Sequence, residues 1–293
     1  MKRFVLSTLA SLAFVGVASA QEGVRLHYDA SAHEESIAAE QSLSVSIEGN
    51  EMLANFVRSL HPFLSLQTLH MKVEGTHQGL GKKHKLQFDD ARLSVRYDDE
   101  SYDYDWKRSE PPEDLATNKL EAFLWVVATA PRSYSLSAKG EYRSDDPNQD
   151  HNGEALDLFL NGVTRLKEDP VAPGDSWTVE WKGSRTEKNK SSKWAFKQVV
   201  TFEKLGERDG NRLATLTSTL EGRLEGDEDP GADEKWTKCA GKTRVVLEVA
   251  SGHVQELRGA GTITTYYRKT GDDGSRQDLT LKLGAEGKRA VRR

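Results

Sequence analysis

One cysteine, Cys239, stands in a chain of 293 residues, so no intramolecular disulfide can form and the core itself must hold the fold. The same scarcity removes paired-cysteine metal sites and dithiol redox chemistry. Cys239 lies near the start of a predicted strand, where a small buried side chain is expected rather than a nucleophile. Long apolar runs are scarce too: none after residue 17 is long enough to cross a bilayer as a helix. Basic charge is in deficit, with 41 Lys and Arg against 46 Asp and Glu. Nucleic acid and anionic lipid therefore fall away as partners, since both require a basic surface. Catalytic signatures are missing as well. There is no glycine-rich phosphate loop and no G-x-S-x-G elbow, and His33-Glu34-Glu35 lacks the second histidine of a zinc protease.

What is present begins with the first twenty residues. Lys2 and Arg3 precede an apolar run over 4–17, and Ala18-Ser19-Ala20 offers small residues before Gln21. This is the pattern of a secretory signal peptide, and it predicts a soluble protein exported to the periplasm or the extracellular space. Its removal leaves 273 residues with 39 basic and 46 acidic side chains, a formal charge of −7. The dense basic run at 288–293 reads as a frayed, solvated tail.

Alternating apolar residues and turn signals predict strands over 24–28, 42–48, 69–77, 85–97, 102–107 and 133–143 in the first half. Helices are predicted over 51–60, from Pro112 to residue 129, and over 154–166. The second half reads as a five-strand antiparallel meander over 194–283, punctuated by turns at 207–211, 251–253 and 272–274. The fold class expected is α+β, mainly antiparallel β: a strongly curved, half-barrel-like sheet with two or three helices packed against it. A Pro/Gly linker over 170–174 joins portions 21–169 and 174–287, and the apolar helix faces predict that both belong to a single domain over 21–287.

The segment Val171-Ala172-Pro173-Gly174-Asp175-Ser176-Trp177, followed by paired strands and then Leu247-Glu248-Val249-Ala250-Ser251-Gly252-His253-Val254, resembles a family of exported bacterial β-rich proteins of unknown function. In that family a glycine-aspartate-serine-tryptophan step precedes a C-terminal meander. The resemblance implies an outline similar to periplasmic lipoprotein carriers, whose half-barrels hold acyl chains over a helical lid.

Two sets of residues are candidates for binding. Trp177 and Trp181 are expected first as core anchors, and the alternative is an aromatic platform for a sugar or an apolar ligand, in which Trp106 and Trp194 could serve likewise. Asp146, Asn148, Asp150, Asn152, Glu154 and Asp157 follow the spacing of a calcium loop. His151 stands where such a loop needs glycine, so a plain polar loop is the expected outcome and no cofactor is required. The eight histidines look scattered: His70 and His77, seven apart, would face opposite sides of one strand, which disfavours a shared metal. The functional expectation is an exported, non-catalytic binding protein for a small apolar or amphipathic ligand or an envelope protein. A hydrolase of envelope or extracellular polymers and a structural or assembly module are the alternatives. N-terminal sequencing of the exported protein should begin at Gln21, and a retained Met1 on most molecules would refute the assignment of the leader.

Overall fold

The computed structural model describes residues 23–292, apart from 30, 61, 99, 113–117, 146–154, 156–157, 161–162, 188–189, 227–230 and 272. The predicted leader lies outside the described residues. Twelve strands form one antiparallel sheet: β1 (His33–Gly49), β2 (Leu66–Leu80), β3 (Lys83–Tyr97), β4 (Glu100–Lys107), β5 (Arg132–Leu136), β6 (Tyr142–Ser144), β7 (Ser176–Glu187), β8 (Lys190–Arg208), β9 (Asn211–Glu225), β10 (Glu234–Glu248), β11 (Val254–Thr270) and β12 (Arg276–Val291). Two α-helices are α1 (Glu51–Leu60) and α2 (Lys119–Thr129). Spatial order runs β6-β5-β3-β2-β1-β12-β11-β10-β9-β8-β7, with β4 sharing the edge of β3 that also pairs β5, and the sheet does not close. The predicted meander is present and begins one strand earlier, at β7. Pairing of β1 with β12 places strands from both sides of the 170–174 linker in one sheet.

Turn chemistry fits the ladder. Asp209 and Gly210 both have positive φ (53° and 81°), as a two-residue hairpin between β8 and β9 requires. Asn118 caps α2 through its side-chain oxygen, which accepts from the Glu121 amide at 3.1 Å.

Period-two alternation buries one face of the sheet, through Ile37 and Ala39 of β1, Leu69, Met71 and Val73 of β2, and Phe196, Val200 and Phe202 of β8. Three pieces of chain cover that face: α2 with Leu124 and Ala128, the N-terminal segment with Leu26 and Tyr28, and a strap that contributes Ala155, Leu158, Phe159, Val163 and Leu166. The last two pieces differ from expectation. Residues 24–28 form no strand, only a bridge between Val24 and Val171, because they cross the buried face instead of joining an edge. The predicted helix over 154–166 is helical at Ala155 and 158–160, but 163–166 belong to no helix or strand. The reason is a tertiary contact. Gln198 of β8 donates to the Val163 carbonyl (2.9 Å) and accepts from the Arg165 amide (2.8 Å), so its amide replaces a strand neighbour. Ser218 and Thr243 extend the network to Thr164, whose carbonyl accepts from the Tyr28 hydroxyl at 3.0 Å. Just ahead, Phe159 lies over Gly241, Gly259 and Gly261, and a Cβ on any of these would collide with it.

Three further differences have physical causes. The strand predicted over 133–143 divides into β5 and β6 around Gly140, whose φ is 81° and which lies against Tyr28 and the Thr164 carbonyl. The strand predicted from residue 42 starts at His33, because β2 and β12 are long enough to pair its whole length. The basic run is not frayed at its start: Lys288 sits in β12 opposite Glu40 and pairs with it at 2.8 Å. No helix among the described residues is long and apolar enough to cross a membrane, which says nothing of strands.

Replacing Gln198 by Leu should remove about 3 kcal/mol of stability by denaturant unfolding, since it strands two buried backbone groups. Val199→Thr, on the open face, should change stability by less than about 0.5 kcal/mol. Equal, small effects would show that the strap does not depend on the glutamine.

Candidate functional site

At one end of the buried face the apolar pattern breaks into a polar cluster. In the β1–β2 ladder Glu35 stands opposite His77 and His33 opposite Gly79; in the β2–β3 ladder Gly79 stands opposite His84. His84 in turn faces Tyr134 of β5. His33, Glu35, His77 and His84 therefore share one face of three adjacent strands. A register shift in β3 between its pairings with Glu74 and Gly75 makes this possible, because Leu86 and Phe88 precede it on the buried face and Ala91, Leu93 and Val95 follow. Gly79 supplies the room, since a Cβ there would strike the His33 ring.

Two more ligand-type side chains arrive from outside the ladder. The turn between β10 and β11 carries His253, and Gly252 beside it has φ 79° and lies against the backbone of 27–29. That contact is fastened by the Asp29 amide, which donates to the Gly252 carbonyl at 3.1 Å. Asp29 consequently lies between two imidazoles: its Oδ2 is 3.0 Å from His33 Nδ1 and also contacts His253 Nε2. Ring centroids of His33 and His253 are 4.6 Å apart, and those of His33 and His77 are 5.2 Å apart.

Deeper in, hydrogen bonds run in a chain. Glu35 Oε1 is 2.8 Å from His77 Nδ1, and His77 Nε2 is 3.1 Å from His84 Nδ1. His84 stacks on Tyr134 with centroids 5.1 Å apart, and its Nε2 is buried with no hydrogen-bond partner. Arg289 of β12, opposite Ala39, has an unpartnered buried Nη1. Side-chain exposure grades from 7% at His77 to 29% at His253, so the cluster opens to solvent at the Asp29–His253 end.

The electrostatics follow from burial and neighbours. Burial pushes the His84 imidazole down to about 4, helped by the positive charge that His77, His33 and Arg289 present. Burial also lowers His77, against the opposing hydrogen bond from Glu35. For Glu35 burial alone would raise the pKa, but the His77 bond and the charges of His77 and Arg289 outweigh it and hold the carboxyl below its usual range. Burial is likewise outweighed at Asp29, where the Ser31 amide and hydroxyl and the His253 ring stabilise the carboxylate.

The cluster was not expected from sequence. His70 does face away from His77, bonded to Ser42 on the open side at 2.8 Å, but His77 has two other histidines, His33 and His84, beside it. The signal lay in the spacing: His33 and Glu35 at i and i+2, then His77 and Gly79. It stayed hidden because the predicted β1 began nine residues late.

The tryptophans form two groups. Trp177, Trp181 and Trp194 share the buried face near the strap. Trp177 donates its indole N–H to the Arg165 carbonyl at 3.0 Å, the Arg165 guanidinium lies 4.7 Å over Trp181, and Trp181 and Trp194 both stack on Phe196. Trp106 is remote from these, buried between Tyr104 and Trp125. Asp146, Asn148, Asp150, Asn152, Glu154 and Asp157 lie outside the described residues. Cys239 is buried, and burial pushes its thiol up to about 12, far from the thiolate a nucleophile needs. On the open face two grooves of about 810 and 670 Å³ are lined by interleaved charges, among them Glu40, Arg258 and Lys288.

No protein-family model and no curated protein matches the chain. Among solved structures, the chain is weakly similar to Pseudomonas aeruginosa OccK11 (OpdR), with 9% identity and a TM-score of 0.18 over 92% of this chain and 99% of that one. Pseudomonas aeruginosa OccK5 (OpdH) gives 7% identity and a TM-score of 0.18 over 89% and 98%. Scores this low carry no argument about fold or activity.

The depressed histidines have a consequence for stability. The unfolded chain takes up protons near the ordinary imidazole value of 6.5, whereas folded His84 does so only near 4. Stability is therefore full above about pH 7 and falls as pH drops from about 6.5 towards 4, and the lowered Asp29 and Glu35 carry the loss further down. Urea midpoints should trace this descent, with a shallower upper part in His84→Gln. A flat profile across that range would contradict the burial of these rings.

Proposed function

We propose that the protein is an exported binding protein that takes its ligand at the polar end of the buried sheet face. The observation that carries this reading is the convergence of Asp29, His33, Glu35, His77, His84 and His253 from the N-terminal segment, β1, β2, β3 and the β10–β11 turn. Elsewhere that face is filled by the chain's own Phe159, Val163 and Leu166, so an acyl chain would have to displace the strap. The sheet bends around the strap as a half-barrel in this reading, and the cluster sits at its mouth. The leader-like pattern at 1–20 supports a location in the periplasm or outside the cell. Support for binding over hydrolysis comes from the relay Glu35–His77–His84, which ends at a buried ring nitrogen that makes no hydrogen bond to a hydroxyl or thiol among the described residues.

Native mass spectrometry of the protein purified from its own host tests the proposal. A species heavier than the processed chain should be present and should be lost from the His33→Gln variant. The bare chain mass under gentle conditions, in both proteins, would refute it.

A further inference from the structure

Resting on that reading of the cluster as a ligand site, we infer that its ligand is a single divalent first-row transition-metal ion, held by Asp29, His33 and His253. Ligand atoms of these three side chains all lie within 4.8 Å of one another. The Asp29 carboxylate already contacts a nitrogen of each ring. An ion with bonds of about 2.0 Å needs its ligand atoms about 3.3 Å apart, the edge of a tetrahedron. The 3.0 Å between Asp29 Oδ2 and His33 Nδ1 is close to that value, and the His253 contact would open by a rotation of its half-buried side chain at the β10–β11 turn.

A second trio, His33, Glu35 and His77, meets the same distance test and shares His33. Charge separates the two. Arg289 presses on Glu35, His77 and His84, so a cation among them would face a buried guanidinium. Asp29 is instead held by the Ser31 amide and hydroxyl and by His253. The outer trio is also the more exposed, which gives the ion a way in. Glu35 and His77 then stand behind the shared imidazole as positioning residues.

Donor type selects the ion. Two imidazoles and one carboxylate suit zinc, copper, nickel or iron(II), whereas calcium and magnesium favour all-oxygen sets. Three protein ligands leave a further coordination position for water. Binding requires each ring nitrogen that faces Asp29 to be free of its proton. A protonated ring releases one proton to solvent and a neutral ring carries its single proton on the other nitrogen, so that each nitrogen gives its lone pair to the metal.

The test uses the full processed chain, freed of metal by chelation and titrated with zinc by calorimetry and with cobalt(II) by visible absorption. One zinc ion per chain should bind, and cobalt should give the intense bands of a four-coordinate site. Asp29→Asn, which keeps shape, and His253→Gln, on a solvent-exposed turn, should each weaken zinc binding by about 100-fold. His77→Gln should weaken it by less than about 10-fold, and His70→Gln on the open face should leave it unchanged. Zinc binding lost in His77→Gln but retained in Asp29→Asn would overturn the ligand assignment. No binding of zinc, cobalt or copper below about millimolar would overturn the metal altogether. If a host-derived adduct were still lost from His33→Gln in that case, the binding reading would stand without the metal. Absence of both would remove the two together.

Discussion

A peptide segment that crosses the buried face of a sheet cannot join the ladder, and its N–H and C=O groups lie away from water. The 163–165 stretch meets that demand through one side chain, Gln198, whose amide bonds both a carbonyl and an N–H of the strap. Much else hangs on this contact. It orders the Ser218, Thr243 and Thr164 hydroxyls behind it, and it fixes the Thr164 carbonyl that receives the Tyr28 hydroxyl. Burial pushes that phenol up to about 12, so it remains a donor across the range in which proteins fold. Tyr28 is one residue before Asp29. The amide of Gln198 is thus linked through packed neighbours to the position of a carboxylate in the cluster.

The cluster obeys a different rule. Buried charge is tolerated where it is paired, and here the pairing is between carboxylates and imidazoles rather than with lysine or arginine. Glu35 and Asp29 each engage a histidine, and the one guanidinium nearby keeps a nitrogen unpartnered. Glycine sets the geometry at two places only: Gly79 leaves space for the His33 ring, and Gly252 lets the β10–β11 turn approach residues 27–29. The open face carries the opposite pattern, with ion pairs such as Lys288–Glu40 and Lys282–Glu48 in solvent, each worth little to stability.

Where apolar residues alternated, the sequence was legible: the meander, the 209–210 hairpin and α1 follow from local pattern and turn chemistry. Where tertiary contacts overrode pattern it was not. Leu166 continues a helical stripe with Phe159 and Val163, yet Gln198, thirty-odd residues later, bonds the backbone there and the stretch is not helical. Residues 33–41 lack strong alternation, and only the long partners β2 and β12 draw them into a strand. The histidine cluster depends on exactly those pairings plus one register shift in β3, none of which periodicity reveals. Trp177 bonds the Arg165 carbonyl and Trp194 is fully buried beside the strap.

The central ladder joins β1 to β12, residues as far apart in sequence as Ile37 and Val291. Every other long pairing in the sheet links strands that are consecutive along the chain, or nearly so. Those hairpins can assemble as the polypeptide emerges, but the middle of the sheet stays open until the final strand is available. Loop closure over such a span is slow, so folding is governed by topology rather than by local preference. A chain built in this way is still incomplete at its centre while it is being synthesised, and its two halves stay unjoined until β12 arrives.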